Sequence, residues 1–300
     1  MPEQDKQALV NINGEGLTKP ATVLIERISD AIGVLYEPRR ITKKAKAEAE
    51  AAITAARSEI EVGNLRERAG KRVLAEEMEN QTNIDAVVAE SIEKLAEDSS
   101  PEDLDKVWLR RFFDEAKFAS NTEARDRYAS ILAGEANSPG TFSIRSMMTL
   151  GTMSKSEAET FNALANFCDE AGQCLIFRHS DDIYLRAGLT YESLTQLDKL
   201  GLISFQPGLV RLSISSQRKD MKPQLLLVFG EESYIVTPTD ERKDIPIGDV
   251  ILTSEGKQLI KITNRKWSAE FIRYVKNYYT ENKCQIQKKS APIFKPLSFN

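Results

Sequence analysis

The sequence predicts a mainly α-helical protein with a multi-helix N-terminal body, a long exposed helical segment and a smaller C-terminal α+β domain. Three observations predict this class. Apolar residues recur at helical spacing between capping signals over residues 18–171. Residues 42–81 are dense in Ala, Glu, Lys and Arg, which are strong helix formers. From residue 172 onward, short apolar runs alternate with turn residues, a pattern typical of strands.

Length and composition indicate a soluble chain of two-domain size. The 300 residues are 41% hydrophobic and 29% charged, with a net charge of -4. This balance argues against a broad nucleic-acid-binding surface but leaves a local basic patch open. No run approaches the roughly 18 apolar residues of a transmembrane helix, and the N-terminus lacks a signal-peptide pattern. The cysteines Cys168, Cys174 and Cys284 cannot form a closed disulfide framework and show no CxxC spacing, which indicates a reducing, cytoplasmic location.

We predict four segments along the chain. Residues 1–17 form a flexible start, and residues 18–171 form the helical domain. Residues 172–282 form the α+β domain, and residues 283–300 form a basic tail. The excess charge lies mainly in the first third of the chain, so the helical domain should include a polar region.

Residues 18–36 predict an amphipathic helix, with Pro20 in its first turn and Pro38 beyond its end. Its apolar side is a candidate membrane or partner face formed by Leu24, Ile28, Ile32 and Leu35. Two alternatives stay open. The face packs in the protein's own core, or it lies on a membrane surface, as a basic cluster just downstream favours: Arg39, Arg40, Lys43 and Lys44.

The charged segment over residues 42–81 predicts a long, partly exposed helix or helical hairpin. Its apolar stripe consists mainly of small residues: Ala45, Ala49, Ala52, Ala56 and Ile60. Gly63 and Gly70 are expected to interrupt it, and no heptad pattern of a coiled coil persists over several turns. Such a helix needs a partner helix, from this chain or from another copy, to be stable. The next segment offers a better buried face: Ile84, Val87, Val88, Ser91, Ile92 and Leu95.

Capping signals predict three further helices. Ser100, followed by Pro101, is expected to begin the first, with Val107 and Trp108 on its buried face. Asn121 should cap the second. Ser154 opens the third through a capping box, and Gly172 is expected to end it.

The α+β domain is predicted from an alternation of short elements. Residues 174–179 and 183–185 predict strands, and residues 190–201 predict a short helix that runs into the strand-like LISF. Further strand candidates are VRLSI, QLLLVFG and SYIVT. DVILTSEGKQLIKI predicts a strand and a helix capped by Ser254, and an aromatic-rich helix precedes the tail. This order resembles that of winged-helix domains, with a wing lengthened by an extra strand pair.

Residues 125–150, RDRYASILAGEANSPGTFSIRSMMTL, predict two helices joined by a turn. Pro139 suits the second position of a type II turn, and Gly140 accepts the positive φ of the third. Gly134 or a neighbour is expected to loosen the end of the first helix. Thr141 or Ser143 then caps the second.

Glu135 and Arg145 flank this turn and are expected to pair across it. An alternative makes Glu135, with Asp126 or Arg145, part of a functional site. We favour the structural interpretation, because no His, Cys or second carboxylate stands at a ligand-like spacing.

The sequence offers no catalytic, cofactor-binding or metal-binding set. His179 is the only histidine, which excludes His-based triads and multi-His metal clusters. Asp181 and Asp182 are carboxylates of the kind that binds metals, but we interpret them as part of a solvated loop. The chain has neither GxxxxGK[ST] nor GxGxxG, so no small-molecule substrate is inferred.

Nucleic-acid contact by the α+β domain is an alternative with identifiable residues. The candidate contacts are Lys199, Arg211, Arg218, Lys219 and Lys222. The helix expected to enter a DNA groove carries Glu192 and Asp198, however, and acidic side chains repel the phosphate backbone. We therefore favour a protein partner for this domain.

Residues 16–51 (GLTKPATVLIERISDAIGVLYEPRRITKKAKAEAEA) and residues 105–161 (DKVWLRRFFDEAKFASNTEARDRYASILAGEANSPGTFSIRSMMTLGTMSKSEAETF) resemble a bacterial family, domain of unknown function 2806. LAGE and the SPGTFS turn carry the resemblance most specifically. More remotely, the helix–turn–helix pattern around this turn is similar to the abortive-infection alpha family. That similarity implies a role in bacterial defence against phage. Neither family supplies a catalytic residue.

The sequence thus predicts a non-enzymatic, cytoplasmic interaction or scaffold protein that self-associates as a homo-oligomer and binds protein partners. The resemblance implies that it works in an abortive-infection-like pathway. Two alternatives stay open: a DNA-binding regulator acting through the C-terminal domain, and a membrane-active effector acting through residues 18–36.

Overall fold

The computed structural model describes residues 17–33, 65–205, 207, 212–215, 222–239 and 244–289. The chain divides into two compact units, Met1–Ile144 and Arg145–Asn300. Their boundary lies earlier than the one predicted at residue 172. The described chain is mainly α-helical, and its short strands all lie in the second unit. Within the described residues, no helix combines the length and apolar character needed to cross a membrane.

Four helices and a 3-10 turn form the described part of the first unit. They are α1 (Lys19–Ile32), α2 (Leu65–Ile92), the 3-10 turn (Pro101–Asp103), α3 (Lys106–Ala116) and α4 (Thr122–Asn137). Helix α1 packs on the 3-10 turn and α3, and α2 packs on α4 and α3. The core between them is apolar and fully buried: Leu24, Ile28, Val87, Leu104, Leu109, Phe112, Ile131 and Leu132.

The predicted amphipathic helix is confirmed as α1. Thr18 Oγ1 accepts a hydrogen bond from Ala21 N at 3.4 Å, and Gly33, with φ 73°, ends the helix before Pro38 is reached. The proposal that its apolar side is a membrane or partner face is wrong for Leu24 and Ile28, which are 0% exposed. Those side chains fill the core of the first unit. Ile32 is partly exposed, and Leu35 lies outside the described residues.

Two arginines hold α1 against its neighbours from the sides. Arg27 Nη2 donates to Leu104 O at 2.8 Å, and Arg110 Nε donates to Ala31 O at 2.9 Å. A hydrogen bond from a charged donor to a carbonyl contributes more than a neutral one. The membrane alternative therefore loses the surface on which it depended.

Helix α2 is continuous over 28 residues. Gly70 lies inside it, so the expected interruption at that position is wrong; Gly63 lies outside the described residues. The buried face predicted for a separate segment belongs to this helix, in which Val87, Val88 and Ser91 are buried. In the N-terminal part almost every side chain is exposed. The long, partly exposed helix is thus confirmed over this range.

The N-terminal cap predicted from the sequence is wrong for α3 and confirmed for α4. Asp105 rather than Ser100 caps α3, accepting from Trp108 N at 2.8 Å. This start leaves Val107 58% exposed instead of buried. Asn121 caps α4 as predicted, accepting from Ala124 N at 2.8 Å.

In the sequence of the second unit, helices come before and after most of the strands. They are α5 (Ile144–Thr152), which begins at the unit boundary, α6 (Lys155–Ala165), α7 (Asp182–Leu185), α8 (Tyr191–Lys199), α9 (Ser254–Leu259) and α10 (Ala269–Glu281). A 3-10 turn, Ile260–Ile262, follows α9. The capping box of Ser154 with Glu157 is confirmed.

Several elements of this unit differ from the prediction. Helix α6 ends at Ala165, and Gly172, with φ 80°, closes a later turn. Residues 183–185 are helical, and within 174–179 an isolated bridge at Cys174 replaces the predicted strand. Thr253 rather than Ser254 caps α9, accepting from Gly256 N at 3.1 Å.

The strands form three small antiparallel sheets. Strand β1 (Ile203–Phe205) pairs with β6 (Val250–Leu252), with Ile203 opposite Leu252. Strand β2 (Leu212–Ser215) pairs with β5 (Asp244–Gly248), with a register shift between Leu212 and Ser213. Strand β4 (Glu232–Pro238) lies between β3 (Leu225–Phe229) and β7 (Cys284–Lys289).

Strand β7 corrects the predicted basic tail. Residues 284–289 pair with β4 along its whole length, from Pro238 opposite Cys284 to Ser233 opposite Lys289. The strand contains two lysines, Lys288 and Lys289, and was therefore not predicted from the sequence, yet Lys288 forms an ion pair with Glu232 across the sheet. Residues 290–300 lie outside the described residues.

Candidate functional site

The turn at residues 138–141 is held by a buried carboxylate. Glu135 is 5% exposed, and its two oxygens accept hydrogen bonds from Gly140 N and Phe142 N, both at 2.7 Å. Gly140 has φ 88°, and Thr141 N donates to Ser138 O at 3.2 Å, so the predicted Pro139-Gly140 turn is confirmed. A carboxylate that accepts two backbone N–H bonds fixes the turn strongly.

The same turn places Phe142 where its backbone groups are hydrogen-bonded and its ring packs against Gly134. Trp108 Nε1 donates to Phe142 O at 2.6 Å, so both backbone groups of Phe142 are bonded. A Cβ on Gly134 would lie 2.8 Å from Cε2 of the Phe142 ring. Gly134 is inside α4, so it makes room for this ring and does not loosen the helix end. LAGE and SPGTFS therefore form one packing unit.

The expected pairing of Glu135 with Arg145 is wrong. Arg145 is 81% exposed in its side chain, and its Nη1 lies 3.6 Å from Glu255 Oε1. Asp126, the other suggested member of a site, binds Lys94 Nζ at 2.6 Å. Ser143 directly precedes α5. The hydrogen bonds of Glu135 to Gly140 and Phe142 thus hold the turn, whereas Asp126 and Arg145 contact other residues.

The two carboxylates of the loop RHSDD pair with arginines, and one of them also accepts a hydrogen bond from a tyrosine hydroxyl. Asp181 Oδ2 accepts from Arg178 Nε at 3.1 Å and from the Tyr274 hydroxyl. Asp182 Oδ2 lies 2.9 Å from Arg186 Nε. Burial raises the pKa of Tyr274, so its hydroxyl stays a donor to Asp181. Across the described residues, no three His, Cys, Asp or Glu side chains converge as metal ligands.

One polar pair joins distant parts of the second unit. His179 Nδ1 lies 3.2 Å from Asp249 Oδ2, and the His179 N–H donates to the same oxygen at 3.3 Å. The rings of Phe205 and Tyr191 flank His179 at centroid distances of 5.3 and 5.9 Å. Sequence reasoning missed this pair because 70 residues separate its members.

The predicted nucleic-acid contacts do not form a described basic surface. Lys199 is exposed on α8, and Lys222 Nζ donates to Pro238 O at 3.3 Å. Arg211, Arg218 and Lys219 lie outside the described residues. Close to Lys199 in α8, Asp198 accepts from Phe205 N at 3.0 Å and Glu192 is exposed. The described charge around α8 is therefore mixed in sign.

Asp169 is a buried carboxyl group that the sequence did not single out. It is 0% exposed, and its Oδ1 accepts from Gln173 N at 2.8 Å. Within the described part of the chain, its Oδ2 and the Tyr279 hydroxyl are buried without a hydrogen-bond partner. Burial raises the pKa of Asp169 to about 6, against the lowering effect of the Gln173 N–H and of Arg265.

We expect Asp169→Asn to raise the free energy of unfolding at pH 7 by about 1–2 kcal/mol, because Asn keeps the Oδ1 acceptor and removes a buried charge. Between pH 3.8, the reference value, and pH 6 the folded wild type binds the extra proton, so its stability falls as pH rises through that range. The variant should lose this dependence. Urea unfolding from pH 4 to pH 8 measures it.

Asp182→Asn, at a side chain 82% exposed, is the matched control and should retain the wild-type pH profile. An Asp169→Asn variant as pH-dependent as the wild type would show that Asp169 is charged at no cost in the fold.

Cys168 and Cys174 are joined by a disulfide across the isolated β-bridge, with their Cα atoms 4.1 Å apart. Both are 0% exposed, whereas Cys284, also buried, lies outside this pair. The sequence analysis expected no closed disulfide framework, and it did not predict this single disulfide. Spacing did not indicate the pairing, because the bridge depends on the turn at Gly172.

The largest exposed apolar side chains of α2 lie in its N-terminal part. Leu65 is 76% exposed, Leu74 57% and Val73 49%. Leu65 and Val73 are two turns apart, with Ala69 between them, so they form one row on the helix. Charged residues surround this row, including the pairs Glu67–Lys71 and Arg72–Glu76. An exposed apolar row within a charged helix is typical of an interaction surface.

Comparison with known proteins gives one informative result. No curated protein and no solved structure matches the chain. A family described as "Protein of unknown function (DUF2806)" matches residues 67–276, which is more than two thirds of the 300 residues. The match runs from the first turn of α2 into α10 and includes the LAGE and SPGTFS segments. The chain belongs to this family, DUF2806.

Proposed function

We propose that this protein is a non-enzymatic, cytoplasmic interaction protein that self-associates through α2 and binds a protein partner through its second unit. The exposed row of Leu65, Ala69 and Val73 carries the proposal. About 25 cal/mol is gained for each square ångström of apolar surface removed from water, so association that covers this row is favourable.

The second unit supports the protein-binding part. Helices α6, α7 and α8 lead into β1, and β1 pairs with β6, which supports a winged-helix-like arrangement with a wing extended by β2 and β5. In this proposal the surface around α8 meets a protein. Acids accompany its exposed cation: Glu192 and Asp198 are exposed on the same helix as Lys199. Fold alone does not imply DNA binding.

The role in anti-phage defence is the part of the proposal that rests on resemblance to the abortive-infection alpha family. Protection should require self-association if α2 acts as proposed. Cells that carry the gene should resist phage better than cells that carry its Val73→Glu variant. Equal plaque counts for the gene, the variant and an empty vector would remove the defence role.

Self-association is tested on the full chain by light scattering over a concentration series. We expect the wild type to form a dimer or larger oligomer, and Leu65→Glu with Val73→Glu to raise the dissociation constant at least tenfold, because two buried acids would face each other. Val107→Glu on α3 is the control, since Val107 is also exposed, at 58%, but lies on another helix. A wild type that is monomeric at every concentration would refute the proposal.

The DNA-binding alternative predicts a different result. Fluorescence anisotropy of a labelled duplex should then rise on addition of the protein at low salt and fall as salt increases, because cations that neutralise phosphates release counterions. Under the protein-binding proposal, anisotropy stays constant in 50 mM salt. A salt-dependent rise would replace the proposed protein partner by DNA.

A further inference from the structure

We infer that α2 pairs with α2 of a second copy in an antiparallel arrangement, with the two-fold axis close to Val73. The inference rests on the proposed self-association and deepens it by naming the surface, the partner and the orientation. Two observations support it. The apolar face of α2 continues beyond the part that packs in the core, and the charges along α2 run from positive to negative.

The apolar row continues the face of α2 that packs in the core. Leu65, Ala69 and Val73 repeat every four residues, and the same face carries Asn83, Val87 and Ser91 farther along the helix. Those three are buried: Asn83 Nδ2 donates to Lys117 O at 2.8 Å, and Arg125 Nη2 donates to Asn83 Oδ1 at 3.1 Å. The face therefore extends beyond the part that the first unit covers.

Charge along α2 is ordered from positive to negative. Residues 65–74 contain four bases and one acid, and residues 75–83 contain three acids and no base. Arg68, Arg72, Glu76 and Glu79 follow one another on a single stripe, at spacings of four, four and three residues. A parallel pair of such helices would place like charges side by side, which is unfavourable. An antiparallel pair places the basic half against the acidic half.

The charge stripe also locates the axis. In an antiparallel pair, Arg68 faces Glu79 of the second copy while Arg72 faces Glu76 of the second copy. Both pairings share a midpoint close to residues 73 and 74, at the level of Val73, which is 49% exposed. A two-fold interface is self-complementary, so one patch supplies both halves. Val73, the last member of the apolar row, thus lies close to the axis, and the charge stripe runs beside the row.

Ion pairs within α2 compete only weakly with the proposed ion pairs between the two copies. Arg72 Nη1 lies 2.9 Å from Glu76 Oε1, but the two side chains are 60% and 54% exposed. Exposed pairs of this kind contribute little to stability. The competing occupant of the row is residues 42–62 of the same chain, whose own stripe consists of small residues. That occupant requires no second copy, so the two are separated by experiment.

Charge reversal tests the orientation. The acidic variant is Arg68→Glu with Arg72→Glu, and the basic variant is Glu76→Arg with Glu79→Arg. Each alone should dimerise at least tenfold more weakly than the wild type at low salt, because all four stripe charges then have one sign. An equimolar mixture should form heterodimers as tight as the wild-type dimer. Sedimentation with one variant labelled measures this, and circular dichroism checks that each variant is folded.

Engineered cysteines test the axis. Val73→Cys should form a disulfide-linked dimer under mild oxidation, because Val73 is the member of the apolar row that lies next to the axis. Leu65→Cys should not, since antiparallel helices with a rise of 1.5 Å per residue separate the two positions by about 25 Å, far beyond disulfide reach. In a parallel pair both variants would crosslink. The native cysteines are buried, so the wild type is the control.

The outcomes are distinguishable. A dimeric wild type with strong heterodimers and crosslinking at residue 73 alone supports the inference. If the wild type is dimeric but both charge variants dimerise normally, the interface lies elsewhere; the inference fails and self-association stands. Crosslinking at both positions refutes the antiparallel order. A wild type that is monomeric throughout refutes the proposed function as well.

Discussion

Replacing Glu135 by Ala is expected to lower the free energy of unfolding of the first unit by about 3–4 kcal/mol. The carboxylate accepts from Gly140 N and Phe142 N at 2.7 Å and is 5% exposed. Hydrogen bonds to a charged group contribute about 1.5–3 kcal/mol each, and leaving a buried donor unsatisfied costs its desolvation. Glu135→Gln should lose less, because its single carbonyl oxygen still accepts one bond.

Trp108 makes this measurement specific to the first unit. The protein has two tryptophans, Trp108 and Trp267, one in each unit. Urea unfolding followed by fluorescence in a Trp267→Phe background therefore reports on the unit that contains Glu135. Glu123→Ala, on the same helix and with a side chain 70% exposed, should change stability by less than about 0.5 kcal/mol. A similarly small loss for Glu135→Ala would show that the turn forms without the carboxylate.

Replacing Gly256 by Ala is expected to destabilise the second unit by about 3 kcal/mol or more, although Ala is normally the better helix former. A Cβ on Gly256 would lie 2.0 Å from Leu202 O and 3.0 Å from Leu202 C. These are backbone atoms beside β1, and Thr253 N also donates to Leu202 O at 3.1 Å. Relief of the clash therefore requires α9 to move away from the strand, which breaks packed contacts.

Gly70→Ala provides the matched control with the opposite sign. Gly70 lies inside α2, and a Cβ there meets nothing within 4 Å. Removing the conformational freedom of glycine from an open helical position should stabilise the protein by about 0.5–1 kcal/mol. Urea unfolding by circular dichroism and by the fluorescence of each unit measures both. Two stabilising substitutions would show that the approach of Gly256 to Leu202 is looser than described.

Local signals in the sequence predicted the start of several elements correctly. Asn121 and Ser154 cap helices as expected, and the Pro139-Gly140 turn forms as predicted. Each of these depends on residues within about four positions, which is the range of a capping bond or a β-turn. Strands β1 to β4 and β6 were likewise predictable from short apolar runs between turn residues.

The candidate site was predictable only in part, because its members depend on distant contacts. The sequence showed that α2 is long, charged and in need of a partner helix. It did not show where α4 stops covering it, so the exposed Leu65 and Val73 became visible only in the fold. The pair of His179 with Asp249 and the burial of Asp169 were hidden for the same reason.

By itself, the sequence determined the mainly helical class, most helix positions and the turn at Pro139, because backbone preference and capping act over a few residues. It also carried the family resemblance. Tertiary structure decided which faces are covered. It buried Leu24 and Ile28, added β7 to a sheet, and placed Gly134 against Phe142 and Gly256 against Leu202. Burial is set by the atoms that surround a side chain, and those come from residues far away in the chain.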